Sequence, residues 1–528
     1  MNKLQRLLEI AWGMLPFIFL GLIVFLSFYD LTAAAVILLI FTVAWFIRLI
    51  GYAYRLVLSF IRYRFACRID WKAKLVSLNA ELQEPPSQKI GFWQRQSEKW
   101  YLRLKLKTST AAKPIDPSRI YQAIIITLYL EPAALIESSI KALLASDYEL
   151  SKLILIIAFE ERGGSAARKT AEQLVKRYGT KLKLAVAVQH PKNINGEVKA
   201  KAGNITYAAK WLSEYCRKEH INPSDVLVTT LDADNKPHPQ YLAELAWTYS
   251  LTAERTTHSY QPIPLFTNNI WDASAPIRVI AADISFWFMM EQSRPRRLRL
   301  FSAYAQSLKT LEDVKYWNVK SVVEDGHQYW RSYLAFGGNH KVLPIWLPIY
   351  QDAVISSTLY SAMREQLRQL LRWAWGTADT PYLMLQALSH KNIGWTNKLV
   401  HIYRQVDDYI SWATTPLILA IGAWLPWLLR NDVSGSTDLA FKLFHVIVGL
   451  QLLAFGDLLI GISIYKALLP KRPNKYSFTR SLAMILQWIL EPILLVIFIS
   501  GTSLSAHFRL IIGKKLEVFH ATSKTYSG

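Results

Sequence analysis

The chain has 528 residues, of which 52% are hydrophobic, and a formal net charge of +22. A mean hydropathy of +0.14 beside 19% charged residues predicts membrane-spanning helices joined to a soluble domain with its own core. The only cysteines, Cys67 and Cys216, lie far apart with no histidine at ligand spacing, which argues against a disulfide framework and a zinc site. The charge leaves nucleic acid, anionic lipid or a phosphorylated substrate as partners, and the apolar segments favour the last two.

Two apolar segments open the chain, from about Ile10 to Phe28 and from Leu31 to Ile50. Each has the length of a membrane-spanning helix and exceeds the apolar core of a signal peptide. Several arginines accompany the end of this hairpin: Arg48, Arg55, Arg62, Arg64 and Arg68. The positive-inside rule therefore places the N-terminus and the region after the hairpin in the cytoplasm. The stretch from Asp70 to Pro117 shows no clear periodicity and is interpreted as a connector on the membrane surface.

From Ile120 the pattern changes to apolar runs that alternate with helical patterns. The apolar runs are Ile124 to Leu130, Leu153 to Phe159, Leu182 to Val188 and Val226 to Leu231. Helices are predicted up to Leu144, through Lys176 and from about Ala202 to Cys216. Strands that alternate with helices of this length predict βαβ units and a mainly parallel sheet. No glycine-rich phosphate loop follows a strand, which argues against a dinucleotide site and against a P-loop.

Asp232 and Asp234 end the last of these runs, one residue apart. Ligands bind at the carboxyl ends of strands in open α/β sheets, and paired carboxylates there can hold a divalent cation that neutralises a substrate diphosphate. The alternative is a surface turn in which both acids cap the next helix. From these two residues alone, both interpretations remain open.

Other charged side chains follow the earlier strands. Glu131 comes after the first run, and Glu160 and Glu161 come after the second. They could line one nucleotide cleft and accept hydrogen bonds from a base or ribose, whereas a solvated loop is the alternative. Lys201 stands in the sequence KAKAGN where a helix should begin, so backbone N–H groups would add to its charge in an anion site.

Glu324 and Asp325 end another apolar stretch, VVEDG, and Asp325 is a candidate general base. A structural aspartate before a glycine turn is the alternative. The preceding stretch, Phe301 to Trp317, has the pattern of a helix. Before it stand four arginines, interpreted as a lipid-facing patch because no aromatic residues interleave them: Arg294, Arg296, Arg297 and Arg299.

Gln369, Arg372 and Trp373 belong to the sequence QLLRW inside a helical pattern that starts near Ser361. Their spacing of i, i+3 and i+4 puts all three on one face of the helix. A guanidinium there can bind a diphosphate through two hydrogen bonds, and the indole offers a flat apolar face to a sugar ring.

The rest of the chain predicts an interface segment and further spans. Thr377 to Arg404 is amphipathic and is expected along the membrane interface. Three more spans are predicted: Ile410 to Leu429, Leu439 to Tyr465 and Ser481 to Leu504. Glu491 and Pro492 interrupt the last one, and a broken or re-entrant hairpin there would return the basic tail to the cytoplasm.

The ordered set of paired aspartates, VVEDG and QLLRW resembles the membrane-embedded processive family-two glycosyltransferases, which include cellulose synthase, hyaluronan synthase and bacterial exopolysaccharide synthases. The resemblance covers about Ile120 to Trp375. It implies an α/β fold of the GT-A type, with a Rossmann-like mixed, mainly parallel sheet, in a cytoplasmic domain inserted between transmembrane helices with amphipathic interface helices. The chain departs from the family in two places, since AFEER stands where aspartates are usual and FSAYAQS replaces a glycine-bearing acceptor motif.

The resemblance also implies roles for the motif residues. Asp325 would be the general base beside Glu324, and Asp232 and Asp234 would hold Mg²⁺ or Mn²⁺ with the donor. Trp373 would lie against the acceptor sugar. The segment FHATSK resembles a gating loop that closes over the nucleotide. The residues implied in donor or diphosphate binding are Asp232, Asp234, Lys201, Glu131, Glu160, Glu161, Gln369, Arg372, Thr522 and Lys524.

The predicted function is an inverting, metal-dependent transfer of a sugar from a nucleotide-diphosphate donor to a growing polysaccharide. A UDP-sugar is the favoured donor. If the enzyme is processive, export of the polysaccharide through the membrane would be coupled to its synthesis. Single-sugar transfer to a membrane lipid is an alternative. An alternative of another class is a non-catalytic scaffold that binds nucleotide sugar or polymer. We expect a multi-pass protein of the plasma (inner) membrane that contacts lipids and no nucleic acid.

The expected domains follow from these assignments. They are a transmembrane hairpin (1–65), a surface connector (66–118), the GT-A domain (119–345), interface helices with QLLRW (346–405), C-terminal transmembrane helices (406–513) and a cytoplasmic tail (514–528).

Overall fold

The structure is a computed structural model that describes residues 3–81, 114–422, 424–425 and 438–516. The predicted gating loop from Phe519 to Lys524, with Thr522 and Lys524, lies outside the described residues. Much of the predicted surface connector lies outside them as well. Within the described residues, an α/β domain is flanked by long apolar helices from both ends of the chain.

An eight-stranded mixed sheet forms the centre of the domain. The strands are β1 (Tyr121–Leu128), β2 (Leu153–Glu160), β3 (Leu184–His190), β4 (Val226–Leu231), β5 (Lys236–Pro237), β6 (Ser259–Phe266), β7 (Tyr304–Ser307) and β8 (Val342–Gln351). Their order is β3-β2-β1-β4-β7-β6-β8-β5. The first four pair in parallel, as do β6 and β8, whereas β7 and β5 run antiparallel to their neighbours. The mixed, mainly parallel α/β sheet predicted from the sequence is confirmed.

Helices connect the strands and continue into the flanking regions. Those up to the end of the sheet are α1 (Lys3–Tyr29), α2 (Leu31–Ala66), α3 (Trp71–Glu81), α4 (Ala133–Leu144), α5 (Gly164–Tyr178), α6 (Lys201–Lys218), α7 (Tyr241–Leu251), α8 (Ala275–Gln292), α9 (Leu308–Asp313) and α10 (Glu324–Ala335). Those after it are α11 (Leu359–Ala374), α12 (Asp379–Ser389), α13 (Trp395–Leu417), α14 (Asp438–Leu468), α15 (Phe478–Leu486), α16 (Glu491–Leu494) and α17 (Gly501–Ile512).

The first strands are apolar throughout because helices cover both faces of the sheet. Ile124 of β1 packs into the core on one face together with Ile136 and Ile140 of α4. The next residue, Ile125, belongs to the core on the opposite face, with Ile205 of α6. Because β1 pairs in parallel with both β2 and β4, the carboxyl ends of these three strands meet at one edge of the sheet.

Two local predictions were wrong. The stretch from Phe301 to Trp317 does not start as a helix, because β7 occupies Tyr304–Ser307 and only α9 is helical. All four residues of β7 are buried, and their pairing with β4 and β6 outweighs the helical pattern of the stretch. The connector also contains a regular element, α3, which packs on the domain through Trp71 and Trp247.

Among the residues that the structure describes, four helical segments are long and apolar enough to cross a membrane: Lys3–Tyr29, Leu31–Ala66, Lys442–Leu468 and Phe478–Ile512. Each overlaps a span predicted from the sequence. The predicted span from Ile410 to Leu429 is not among the candidates in the described part of the chain, and its last residues lie beyond that part.

The last candidate span is one continuous helical run, so the re-entrant hairpin predicted at Glu491 and Pro492 is wrong. The interruption is local: a tight turn (Gln487–Leu490) precedes Glu491, and a wide π-type turn (Leu495–Ser500) follows α16. Irregular turns of this kind absorb a proline without reversing the chain.

The first helix and the last lie antiparallel in close contact. Arg6 of α1 donates to the carbonyl oxygen of Leu510 at 2.5 Å, which satisfies a free carbonyl at the end of α17. A Cβ atom on Gly13 would lie 2.8 Å from Ile511 Cγ1 and 2.9 Å from the His507 carbonyl oxygen, so only glycine allows this approach. The start of α1 and the end of α17 therefore lie on the same side of the helical assembly.

The predicted lipid-facing arginine patch was also wrong. We call Arg294, Arg297 and Arg299 with their carboxylate partners the arginine cluster. Arg299 Nη2 lies 2.6 Å from Asp408 Oδ2, and Arg297 pairs with the other oxygen of the same carboxylate. Arg294 Nη1 lies 2.6 Å from Glu291 Oε1. Arg297 and Arg299 therefore join the loop after α8 to α13, and Arg294 binds back to α8, so these three do not form a lipid-facing patch. Arg296 is exposed.

Candidate active site

Asp232 and Asp234 follow β4 and lie in different surroundings. The side chain of Asp232 is 41% exposed, whereas Asp234 is only 2% exposed. Asp234 Oδ2 accepts the backbone N–H of Asp352 at 2.8 Å, and the Asp234 carbonyl oxygen accepts from Asn268 Nδ2 at 3.1 Å. The turn is therefore fixed at Asp234 and presents Asp232 towards solvent.

Lys201 is the first residue of α6 and points at Asp232. Its Nζ atom lies 2.8 Å from Asp232 Oδ1 and 4.0 Å from Glu324 Oε1, and the residue is 7% exposed. Burial alone would lower the pKa of Lys201, but attraction by Asp232 and Glu324 outweighs it, so the pKa stays above its ordinary value. The predicted anion-site lysine is thus a buried, charged group beside the paired aspartates.

Asp325 lies in the first turn of α10, where helix N–H groups are not bonded within the helix. Its Oδ1 atom accepts the N–H of Gly326 at 2.8 Å, and its Oδ2 atom accepts the N–H of Ser302 at 2.7 Å. Both bonds fix the orientation of the carboxylate. The predicted general base is therefore a partly buried group with a defined direction.

Ser302 connects the two acidic motifs, and the sequence interpretation missed it. Its backbone N–H donates to Asp325, and its hydroxyl lies 3.5 Å from Asp232 Oδ2. Gln351 Nε2 donates to the same hydroxyl at 2.8 Å. Ser302 has a φ of +50°, a left-handed conformation that bulky residues avoid. The only sequence signal was the departure FSAYAQS, which contains Ser302 and points to a rebuilt loop at this place.

Glu324 is the most strongly perturbed acid of the site. Burial, followed by repulsion from Asp325, raises its pKa to about 7, and Lys201 and Arg372 oppose the shift. Its Oε2 atom is buried without a hydrogen-bond partner among the described residues. Glu324 therefore changes its protonation near neutral pH.

The QLLRW residues all lie in α11, but they have different surroundings. Arg372 is close enough to Glu324 to lower the pKa of that acid. Gln369 accepts a hydrogen bond from Gln366 at 3.0 Å. The Trp373 ring is half-buried with its centroid 6.2 Å from that of Phe266. Of the three side chains, Arg372 has the contact that ties it to the acidic site.

The acidic side chains after β1 and β2 form hydrogen bonds or ion pairs with residues of nearby loops. Glu131 Oε2 accepts the backbone N–H of Tyr129 at 2.6 Å, Glu160 pairs with Arg162, and Glu161 accepts the N–H of Lys192 at 2.9 Å. The remaining link to the site is electrostatic, because burial first and then Asp232 raise the pKa of Glu131. The structure thus places these acids at the predicted sheet edge, where Glu131 and Glu160 bond within their own loops and Glu161 bonds to the loop after β3.

The paired aspartates fit a divalent cation held jointly with a substrate. In the described part of the chain, no group of three or more histidine, cysteine, aspartate or glutamate side chains could hold a metal ion by itself. Mg²⁺ characteristically takes one or two protein carboxylates and completes its shell with substrate phosphates and water. Asp232, half exposed and one residue from Asp234, offers that kind of partial site.

Comparison with known proteins gave matches among solved structures alone. No family model matches the chain, and no curated protein matches it. The chain is similar to the mannosyltransferase PcManGT from Pyrobaculum calidifontis in complex with GDP-Man and Mn²⁺, at 16% identity and a TM-score of 0.41, over 80% of this chain and 98% of that one. It is also similar to residues 1–349 of S. aureus TarS in complex with UDP-GlcNAc, at 12% identity and a TM-score of 0.36, over 75% and 93% of the two chains. Similarity this low leaves the site to be interpreted from its own geometry.

Proposed function

We propose that the protein is a membrane-bound, metal-dependent glycosyltransferase of the GT-A type that inverts the anomeric centre of a nucleoside-diphosphate sugar. The main support for the proposal is that Asp232 and Asp325 both contact Ser302. One residue contacts both carboxylates, although they lie far apart in sequence and on different elements. An inverting transfer requires such a pair, with one acid near the donor diphosphate and another placed to take a proton from the acceptor.

Asp325 is the proposed general base. The N–H groups of Ser302 and Gly326 orient its carboxylate. In the reaction, the acceptor hydroxyl would form a bond to the anomeric carbon of the donor as the bond to the diphosphate breaks. Asp325 would take the hydroxyl proton, and the electron pair of the breaking bond would leave with the diphosphate.

Cationic side chains of the site would stabilise the negative charge of the leaving diphosphate. Lys201 and Arg372 both lower the pKa of Glu324, so both lie near the same acidic group. Arg372 can bind a diphosphate through two hydrogen bonds, and Lys201 can neutralise one oxygen. A bound Mg²⁺ or Mn²⁺ would supply further neutralisation of the diphosphate, held by Asp232 and Asp234.

The apolar helices support a membrane location. The run that contains α15 exposes large apolar side chains along its length, including Phe478 at 76%, Ile489 at 82% and Ile493 at 63%. Lipid would cover such a stripe, whereas water would not favour it. With the arginine-rich end of α2 inside, the positive-inside rule puts the catalytic domain in the cytoplasm of a plasma membrane.

The acceptor is a growing polysaccharide in this proposal, and Trp373 would stack on its terminal sugar. The half-exposed indole lies on the helix that carries Arg372, beside the apolar run from Phe478. This continuity between site and membrane helices would suit a polymer that leaves through the membrane. It would also suit a lipid acceptor, so the size of the product distinguishes the two.

The test is turnover of sugar nucleotides by the full chain in lipid. Purified protein is incubated with UDP-, GDP- and other nucleoside-diphosphate sugars, with and without Mn²⁺, and nucleoside diphosphate release is measured. We expect metal-dependent release from one donor class, followed by a labelled product whose size separates polymer from glycolipid. Donor binding without release, in the presence of membrane extract as acceptor, would contradict the proposal and favour a non-catalytic scaffold.

A further inference from the structure

The segment that follows QLLRW is buried and makes contacts in two directions. It consists of a tight turn (Trp375–Ala378) and Asp379, the first residue of α12. Thr377 is 0% exposed and Asp379 is 6% exposed. We call these residues the junction. They directly continue the helix that carries Arg372, so any constraint on them is passed to that side chain.

Towards the membrane helices, Thr377 joins α1 to α17. Trp12 Nε1 of α1 donates to the Thr377 hydroxyl at 2.8 Å, and that hydroxyl lies 3.1 Å from His507 Nε2 of α17. His507 Nδ1 lies 2.9 Å from the carbonyl oxygen of Ser503, which can only accept. Nδ1 therefore carries the hydrogen and Nε2 accepts from Thr377, so the Thr377 hydroxyl accepts from Trp12 and donates to His507. Trp12 Nε1 also lies 3.2 Å from the Thr377 carbonyl oxygen.

Towards the acidic site, Asp379 binds the helix that carries the proposed base. Asp379 Oδ1 lies 2.7 Å from His327 Nδ1, and His327 Nε2 lies 3.0 Å from Asn318 Nδ2. An amide nitrogen only donates, so Nε2 accepts and the hydrogen on Nδ1 is directed at Asp379. His327 follows Asp325 by two residues in α10. The pair thus fixes the start of α10 relative to α11.

We propose that Thr377 and Asp379 are positioning residues that set the distance between Arg372 and Asp325 and anchor both to the membrane helices α1 and α17. This inference rests on the proposed function, because it assigns those two side chains to opposite ends of one reaction. No substrate would contact the junction. Its two polar groups are buried and hydrogen-bonded, and such networks restrict neighbouring elements to one arrangement.

The test compares Thr377→Val with Thr377→Ser in the full chain in lipid. Valine keeps the volume and removes both hydroxyl bonds, whereas serine keeps them. We expect Thr377→Val to lower kcat about tenfold, because small displacements of a catalytic group cost that much or more. The donor KM should rise as well, by a smaller factor, and Thr377→Ser should behave as the native protein does. The matched control is Thr414→Val, since Thr414 is 0% exposed and its hydroxyl bonds only within its own helix, to Ile410 at 2.8 Å.

Two further measurements separate positioning from general packing. In an Arg372→Ala background, Thr377→Val should have little additional effect, because coupled residues are not additive. The affinity for UDP and GDP, measured without turnover, should fall for Thr377→Val and not for Thr414→Val. If Thr377→Val fails to fold, Trp12→Phe replaces it, since that change removes the bonds from Trp12 Nε1 to the Thr377 hydroxyl and carbonyl oxygen and keeps an aromatic side chain.

Equal losses in Thr377→Val and Thr414→Val would overturn the inference, as would unchanged kcat or additive effects with Arg372→Ala. Failure of the proposed function has a different signature, because native protein would then release no diphosphate from any donor. The nucleotide affinities still decide the positioning role in that case.

Discussion

Two charged clusters in this molecule differ in how closely their charged side chains are paired. In the arginine cluster, Arg299 and Arg297 share the carboxylate of Asp408, and Arg48 of α2 adds a pair with Asp407 at 2.6 Å. In the acidic site, Lys201 Nζ lies 2.8 Å from Asp232 Oδ1 but 4.0 Å from Glu324 Oε1. Each cluster has one buried atom without a hydrogen-bond partner among the described residues, Glu324 Oε2 in the acidic site and Arg297 Nε in the arginine cluster, but only the acid lacks a close ion pair. Close pairing holds elements together, whereas incomplete pairing leaves charge for a ligand to complete.

The largest expected effect is that of Asp325→Asn. The amide keeps the size of the carboxylate and removes its basicity, so kcat should fall about a thousandfold, within the range for loss of a general base. Nucleoside diphosphate release under donor saturation measures the change. Asp313→Asn, at an exposed ion pair with Lys309, is the control. Turnover of Asp325→Asn at the native rate would mean that the base lies elsewhere.

Asp232→Asn should have the next largest effect. It removes the exposed carboxylate and with it several kcal/mol of charge stabilisation, so turnover should fall about a hundredfold at fixed Mn²⁺. A titration with Mn²⁺ should then require more metal for half-maximal turnover. If the titration is unchanged while turnover falls, Asp232 binds the donor without metal.

The sequence placed the paired aspartates correctly at the end of a strand and misread the arginines, for a physical reason. Asp232 and Asp234 were found because a buried strand ends there, and the register of parallel neighbours then determines where its end lies. The arginines were misread because their partners, Asp407 and Asp408, lie in α13, far from the arginines in the sequence. Charge on a helix or loop says nothing about which distant element will neutralise it.

Within the site, motifs located the residues but not the geometry. Asp325 was assigned from VVEDG, yet Ser302, which orients it, belongs to a stretch predicted as helix. A left-handed residue between a loop and a short strand leaves no periodic signal. The alternating pattern predicted the parallel strands of the fold, whereas the antiparallel β7 was missed because it is only four residues long.

Arg299→Met should leave turnover intact and lower stability. The change removes one of the two arginines that bind Asp408, and we expect the free energy of unfolding to fall by about 1–3 kcal/mol for a partly buried pair. Thermal unfolding in lipid measures it. Arg168→Met is the control, because that arginine is 60% exposed and its pair with Glu172, at 3.4 Å, should contribute little. A loss of turnover at native stability would mean that the arginine cluster belongs to the reaction.

The smallest effect is a pH dependence at Glu324, and it distinguishes the clusters most directly. Burial and Asp325 raise the pKa of Glu324 from 4.5 to about 7, so between these values the folded protein holds a proton that the unfolded chain has released. Stability should therefore fall as pH rises through this window. Glu324→Gln removes that titration. The unfolding temperature of the variant minus that of the native protein should therefore increase as the pH rises through this window. Parallel curves for the two proteins would show that Glu324 is as fully paired as the carboxylates of the arginine cluster, and the contrast between the clusters would disappear.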